Sequence, residues 1–286
     1  HPLVSIIIPN KDKIEFLQPC IESLLAKTDY PAYEIIIVDN DSHDPDILKY
    51  YGQLQQRLGE RLQLLYYREG FNFSAQVNLG VAHARGNLVL LLNNDTEVIQ
   101  PMWLERMVAL ISQPGVGIVG ARLLCPEHGT IQHAGVMIGG SAGPEVIAEH
   151  QFIHHEGNAA GYMNRIWSMQ STIVTAACML VRKEAYQALS GYNEQDLAVL
   201  YNDVDFCLRA MAAGYRCLYQ PFASMMHHGS ASLKAATLDD LKRHLNGLIR
   251  ASGEREYMLR SWLDRLAVIP AFNRNLDLTH TAHRVS

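Results

Sequence analysis

The chain has 286 residues, 48% of them apolar and 19% charged, a globular composition with room for one large α/β domain or two packed halves. A net charge of −5 with no basic block argues against a nucleic-acid partner, since nothing would neutralise phosphates along a strand. Five widely spaced cysteines, Cys20, Cys125, Cys178, Cys207 and Cys217, exclude a disulfide scaffold or zinc ribbon and predict reduced thiols in the cytoplasm.

No apolar run reaches the roughly 20 residues of a membrane span. The opening apolar run, residues 3–8, lacks the length and the preceding positive charge of a signal peptide. The chain begins at His1 rather than Met, which predicts a piece cut from a longer, multidomain protein.

In chain order, Val4-Ser5-Ile6-Ile7-Ile8 reads as a buried strand ending at Pro9, with helical spacing behind it in Phe16, Ile21, Leu24 and Leu25. Glu34-Ile35-Ile36-Ile37-Val38 is a second strand, closed by Asp39-Asn40-Asp41-Ser42. A helix over 46–58, a strand over 62–66, a helix over 74–84 and a strand over 87–92 follow. This alternation predicts a mostly parallel sheet flanked by helices. Asp39, Asp41, Asn94 and Asp95 stand just beyond strand ends, where ligands bind in open α/β sheets.

Residues 126–170 are rich in Gly and His and read as loops and short strands around a cleft. An apolar strand-like run over 172–182 comes next, then a helix from Glu184, a turn at Gly191 and a helix over 203–213 stopped by Gly214. Residues 234–268 alternate charged and apolar positions at helical spacing. Lys242, Arg243, Arg250, Arg255, Arg260 and Arg265 would suit a helix lying on a membrane surface, whereas the leucines suit one packed on the catalytic domain. The expected organisation is a nucleotide-sugar-binding half over 1–125, an acceptor-binding and catalytic half of the same domain over 126–232, and a C-terminal helical extension over 233–286.

Three clusters could carry chemistry. A carboxylate at Asp95, held rigidly after a buried strand, could bind a hard cation that bridges to a diphosphate; alone, Asn94-Asp95 is more often a turn or a helix cap. Asp203 and Asp205 begin a helix whose dipole favours their ionised forms. Asp205 suits an intrahelical pair with Arg209, which leaves Asp203 free to accept a proton. His227 and His228 could ligate metal, although a bare pair of histidines is more often a loop feature. No P-loop, nucleophile elbow or Gly-x-Gly-x-x-Gly run is present.

In order, Val4-Ser5-Ile6-Ile7-Ile8-Pro9-Asn10, Ile37-Val38-Asp39-Asn40-Asp41-Ser42, Asn78-Leu79-Gly80 with Ala84-Arg85-Gly86, and Leu92-Asn93-Asn94-Asp95 line up with a known pattern. Thr175–Arg182, Gly191-Tyr192-Asn193-Glu194, Asn202-Asp203-Val204-Asp205-Phe206-Cys207-Leu208-Arg209, and Pro221 followed by His227 complete it. Over residues 3–232 the chain resembles the family-2 glycosyltransferases of the GT-A fold.

The resemblance implies an inverting, metal-dependent sugar transfer from a UDP- or dTDP-sugar to an oligosaccharide acceptor, lipid-linked in many relatives, at the inner face of the cytoplasmic membrane. It implies that Pro9, Asn10, Asp39, Asp41, Asn78, Asn94 and Asp95 bind the nucleotide sugar, with Arg85 either neutralising its phosphates or lying equally well at the surface. Asp95 and His227 would hold Mg²⁺ or Mn²⁺, with His228 the substitute ligand, and Asp203 would be the general base beside Asn202. Three departures stand out: Asn93 replaces the first aspartate of the D-x-D motif, Asn202 replaces the glutamate beside the base, and Ala176 replaces a glycine. The Asn-Asn-Asp form resembles relatives that build bacterial surface polysaccharide, including rhamnosyltransferases. A nucleotidyltransferase would need a glycine-rich loop where Pro9-Asn10-Lys11-Asp12-Lys13 stands, and a catalytically dead binding module would have no use for Asp95, Asp203 and His227.

Overall fold

A computed structural model describes residues 1–138, 148–150, 172–229 and 252–262. The strands are β1 (Val4–Asn10), β2 (Tyr33–Asp39), β3 (Leu62–Tyr66), β4 (Leu88–Leu92), β5 (Thr96–Val98), β6 (Val116–Leu124), β7 (Ile131–His133), β8 (Val136–Ile138), β9 (Ala148–His150), β10 (Cys178–Arg182) and β11 (Arg216–His227). The helices are α1 (Ile14–Lys27), α2 (Pro45–Leu58), α3 (Phe73–His83), α4 (Trp103–Ile111), α5 (Lys183–Ala188) and α6 (Asn202–Ala212).

The main sheet runs β3-β2-β1-β4-β10-β6-β11-β5, with β7 added to β6. Its first four strands are parallel, as the βα alternation predicts. Beyond them the sheet is mixed: β10 is antiparallel to both β4 and β6, β11 is parallel to β6, and β5 is antiparallel to β11. The apolar run over 172–182 becomes a strand only from Cys178 onward. Strands from both expected halves thus share one sheet.

The strands read as continuous apolar runs because both faces are covered. All seven residues of β2 are buried. Ile6, Ile8, Ile35 and Ile37 meet Leu17, Ile21, Leu54, Trp103 and Met107 on one face, and Ile7, Ile36 and Val38 meet Val77, Val81, Tyr186 and Phe206 on the other. That split follows from the period-two alternation of strand side chains. Helix starts are set locally. Asp44 accepts from Asp46 N–H at 2.9 Å with Pro45 at the first turn of α2, and Asn72 accepts from Ala75 N–H at 2.9 Å to cap α3. Gly80 lets α3 approach the sheet, since a Cβ there would lie 2.4 Å from Ile7 Cγ2.

Of the expected C-terminal extension, a helix over 252–262 is described. Glu254 is buried and accepts from Val199 N–H at 2.8 Å and Leu200 N–H at 3.0 Å, while Trp262 Nε1 donates to Asp205 Oδ1 at 2.9 Å. This stretch packs against α6 and the turn before it. The membrane-surface expectation for the rest of 234–268 lies outside the described residues, as does much of the loop region over 126–170. Among the described residues no helix is long and apolar enough to cross a membrane.

Candidate active site

Because β1, β2, β4, β6 and β11 run the same way, their carboxyl ends share one edge of the sheet. Asn10 ends β1, Asp39 ends β2, Asn93-Asn94-Asp95 follows β4, and His227 ends β11. The antiparallel β10 brings its amino end, and Ala176-Ala177 before it, to that same edge.

A buried polar network joins the first two strand ends. Tyr51, reaching up from α2, donates to Asp39 Oδ2 at 2.7 Å and accepts from Asn10 Nδ2 at 2.8 Å. Asp39 Oδ1 takes the Ser42 N–H at 2.9 Å. Burial, then the Asp39 carboxylate, pushes the Tyr51 phenol far up, so it stays a donor. Asn10 Oδ1 accepts in turn from Asn94 Nδ2 at 2.7 Å, which carries the network across to β4. Asp39 is itself 1% exposed. The loops beyond these strands are tied as well: Asp12 Oδ1 accepts from His43 N–H at 2.9 Å and Asp44 N–H at 3.0 Å.

The Asn93–Asp95 turn faces the end of β11. Asp95 does not cap α4, whose capping position is Met102; the turn instead leads into β5, where Thr96 pairs with His227. His227 Nδ1 lies 2.6 Å from Gln132 Oε1. An amide oxygen only accepts, so that nitrogen carries the proton and Nε2 of the neutral ring presents a lone pair. Nε2 is 3.4 Å from Asn93 Nδ2 and 3.2 Å from Asp95 Oδ1. Asp95 Oδ1 is buried and has no hydrogen-bond donor. Burial opposes ionisation of Asp95, but a protonated His227 ring, as donor and positive charge, outweighs it and holds the carboxyl below its usual range. Two electron-rich atoms this close need a proton or a cation between them, and neighbouring ligands of an octahedral magnesium are about 3 Å apart. The pair therefore fits a hard divalent cation. Among the described residues no group of three His, Cys, Asp or Glu side chains could hold a metal, so further ligands would come from a bound diphosphate or water.

Asp203 lies in the first turn of α6. Its Oδ2 accepts from Ala176 N–H at 3.0 Å and its Oδ1 from Val204 N–H at 2.8 Å. Each oxygen keeps a second lone pair, and the side chain is only partly buried. Its neighbour Asp205 is fully buried and bonded to Arg209 Nε at 2.7 Å, an ion pair one helical turn apart.

The remaining candidates make the following contacts. Arg85 bonds Glu34 through Nε at 2.6 Å and through its backbone N–H at 2.8 Å. Glu34 stands near the start of β2, five residues and about 16 Å of strand from Asp39, so Arg85 serves the opposite edge. Asn78 is engaged within the fold. Its amide is consumed by Tyr192 O, Glu194 Oε2, Tyr186 OH and Tyr192 N–H, which locks α3 to the 191–194 turn. Asn202 is buried and donates to Val199 O at 3.0 Å. His228 turns to Glu97 Oε1 at 2.7 Å, away from Asp95, though its backbone N–H binds Asp95 O at 2.9 Å. Asp41 is exposed, in a left-handed conformation, 3.3 Å from His43, and Pro9 pairs with Val38 in the sheet. Sequence reasoning missed Tyr51 and Gln132. Neither sits in a motif, and only strand order brings them to the edge.

Comparison with known proteins gives the family and the fold. The family described as Glycosyl transferase family 2 matches residues 5–190. The chain is 41% identical to the uncharacterized protein y4gI of Sinorhizobium fredii and 38% identical to the O-antigen biosynthesis protein RfbC of Myxococcus xanthus, with 97% and 98% of the chain covered. It spans only 29% and 21% of those proteins' lengths. Among solved structures it resembles a mannosyltransferase of Pyrobaculum calidifontis in complex with GDP-Man and Mn²⁺, with a TM-score of 0.61, 15% identity, and 95% of this chain and 66% of that one covered. The mixed sheet with its carboxyl-edge site has the GT-A fold, and the chain belongs to glycosyl transferase family 2.

Proposed function

We propose that this chain transfers a sugar from a UDP- or dTDP-sugar to a hydroxyl of a glycan acceptor, with inversion, during assembly of a bacterial surface polysaccharide. The observation that carries it is the buried, donor-less Asp95 Oδ1 facing the lone pair of His227 at 3.2 Å. Asp95 and His227 would hold Mg²⁺ or Mn²⁺, which when bound supplies positive charge to the departing diphosphate. The O-antigen name of one relative and the Mn²⁺ complex of a structural neighbour support the pathway and the metal.

Asn10, Tyr51 and Asn94 fix the orientation of the edge that receives the nucleotide, and Asp39 braces the base-side loop. Asp203, held by two backbone N–H groups, keeps a lone pair for the acceptor hydroxyl. As that oxygen bonds to the anomeric carbon, its proton passes to Asp203, and the bond to the diphosphate breaks with its electrons on phosphate oxygen. One displacement inverts the carbon and needs no covalent enzyme intermediate.

The test is a panel of UDP- and dTDP-hexoses and dTDP-rhamnose with Mn²⁺ or Mg²⁺. Nucleotide release is expected for one donor, with the product of opposite anomeric configuration by NMR. A chain that releases no nucleotide from any donor and metal would be a binding module instead.

A further inference from the structure

His133 and His150 form a hydrogen-bonded pair that the proposed chemistry leaves unused. His133, the last residue of β7, is 1% exposed. Its Nε2 accepts from Thr175 N–H at 3.4 Å, and its Nδ1 lies 2.9 Å from Nδ1 of His150 at the end of β9. The rings meet edge to face, with centroids 5.1 Å apart.

A backbone N–H can only donate, so Nε2 of His133 is the lone-pair nitrogen and its proton sits on Nδ1. Burial, then the neighbouring His150 and His227, holds the His133 pKa well below 6.5, which keeps this ring neutral. The Nδ1–H of His133 therefore donates to Nδ1 of His150. That makes Nδ1 of His150 an acceptor and leaves its proton on Nε2. A buried histidine thus dictates the tautomer of an exposed one, and His150 has no second hydrogen bond among the described residues.

The pair stands between the two arms of the site. Thr175 adjoins Ala176, whose N–H holds Asp203, and Gln132, beside His133, holds His227. His150 lies within electrostatic reach of both Asp203 and His227. If the glycosyl-transfer reading holds, the reacting sugars occupy that gap.

We infer that His150 is a sugar-binding residue whose Nε2–H donates to a hydroxyl oxygen of the donor or acceptor sugar beside Asp203. Its role is recognition and orientation, because a nitrogen that already carries a proton cannot remove one. The inference rests on the proposed function.

The full chain is tested as His150→Phe, which keeps a ring and loses the donor, and as His150→Gln, which restores an N–H. The assay uses Mn²⁺ and the UDP- or dTDP-sugar that the wild type turns over. His150→Phe should raise one KM by about ten- to a hundredfold, His150→Gln should recover most of it, and UDP and dTDP affinity should not change. A donor-sugar contact raises KM for donor hydrolysis without acceptor. An acceptor contact leaves hydrolysis alone and raises the acceptor KM. Unchanged KM values, or a matching loss of nucleotide affinity, would overturn the assignment. Long-range ¹H–¹⁵N spectra supply a readout independent of turnover: Nδ1–H for His133 and Nε2–H for His150 are expected, and Nδ1–H at His150 would refute the mechanism. An inactive wild type sinks the glycosyl-transfer reading and this inference with it, whereas active wild type with indifferent variants sinks this inference alone.

Discussion

Asp203 makes two backbone hydrogen bonds and retains a partly exposed carboxylate, so a substitution that keeps its shape separates chemistry from binding. Asp203→Asn should lower kcat by about 10²- to 10⁴-fold while UDP or dTDP affinity by calorimetry stays within error. Near-normal kcat would remove it as the base. Arg85 tests the opposite edge. Arg85→Ala strips a charged partner from the buried Glu34, so it should cost about 1–3 kcal/mol in denaturant unfolding and leave transfer intact. A loss of turnover at unchanged stability would return Arg85 to the phosphate site. Glu34 itself feels burial, which raises its pKa, but the Ser5, Arg85 and Gln63 donors outweigh it and the net shift is downward. Its stabilising contribution is present above the ordinary value of 4.5 and is lost as pH falls through the lower folded value. Glu34→Gln should therefore flatten the acid limb of a Tm–pH curve.

At the scale of elements, the close seat of α3 on the sheet depends on Gly80. A methyl there would meet Ile7 Cγ2 at 2.4 Å and Val38 Cγ2 at 3.2 Å, so Gly80→Ala should destabilise by about 1–3 kcal/mol through overpacking. Unfolding in urea checks it, and an unchanged midpoint would mean that α3 slides freely. β7 carries the second element-scale expectation. Burial holds His133 neutral in the folded chain, so only the unfolded chain binds its proton as pH falls below 6.5. Stability should fall with decreasing pH from that point, and His133→Gln should lessen the slope. An identical slope in the variant would show that the folded site protonates freely.

For the whole molecule, the site is finished by chain far from the strand ends. The helix over 252–262 supplies Glu254 to the backbone before α6 and Trp262 to Asp205, and so braces the turn that carries Asp203. Truncation after Gly229 should lower Tm and reduce transfer more than nucleotide binding, because the β1–β4 edge keeps its own network. Equal loss of both would mean that the sheet itself depends on the extension.

The strand ends were legible in the sequence because they are local events. Apolar runs stop at Pro9, Asp39 and Asn93, and the Asp205–Arg209 pair follows from a spacing of four residues. Family resemblance proposed roles for several more, among them Arg85 and Asn78, whose side chains are held by Glu34 and by the 191–194 turn. Periodicity reports which face a residue takes, not which strand lies beside it or in which direction. Only the tertiary structure brought Gln132 to His227, by laying β7 and β11 on either side of β6, and brought Ala176 to Asp203 and His133 to His150. Those pairings are separated by 95, 27 and 17 residues, and chain packing beyond the reach of local periodicity decides them.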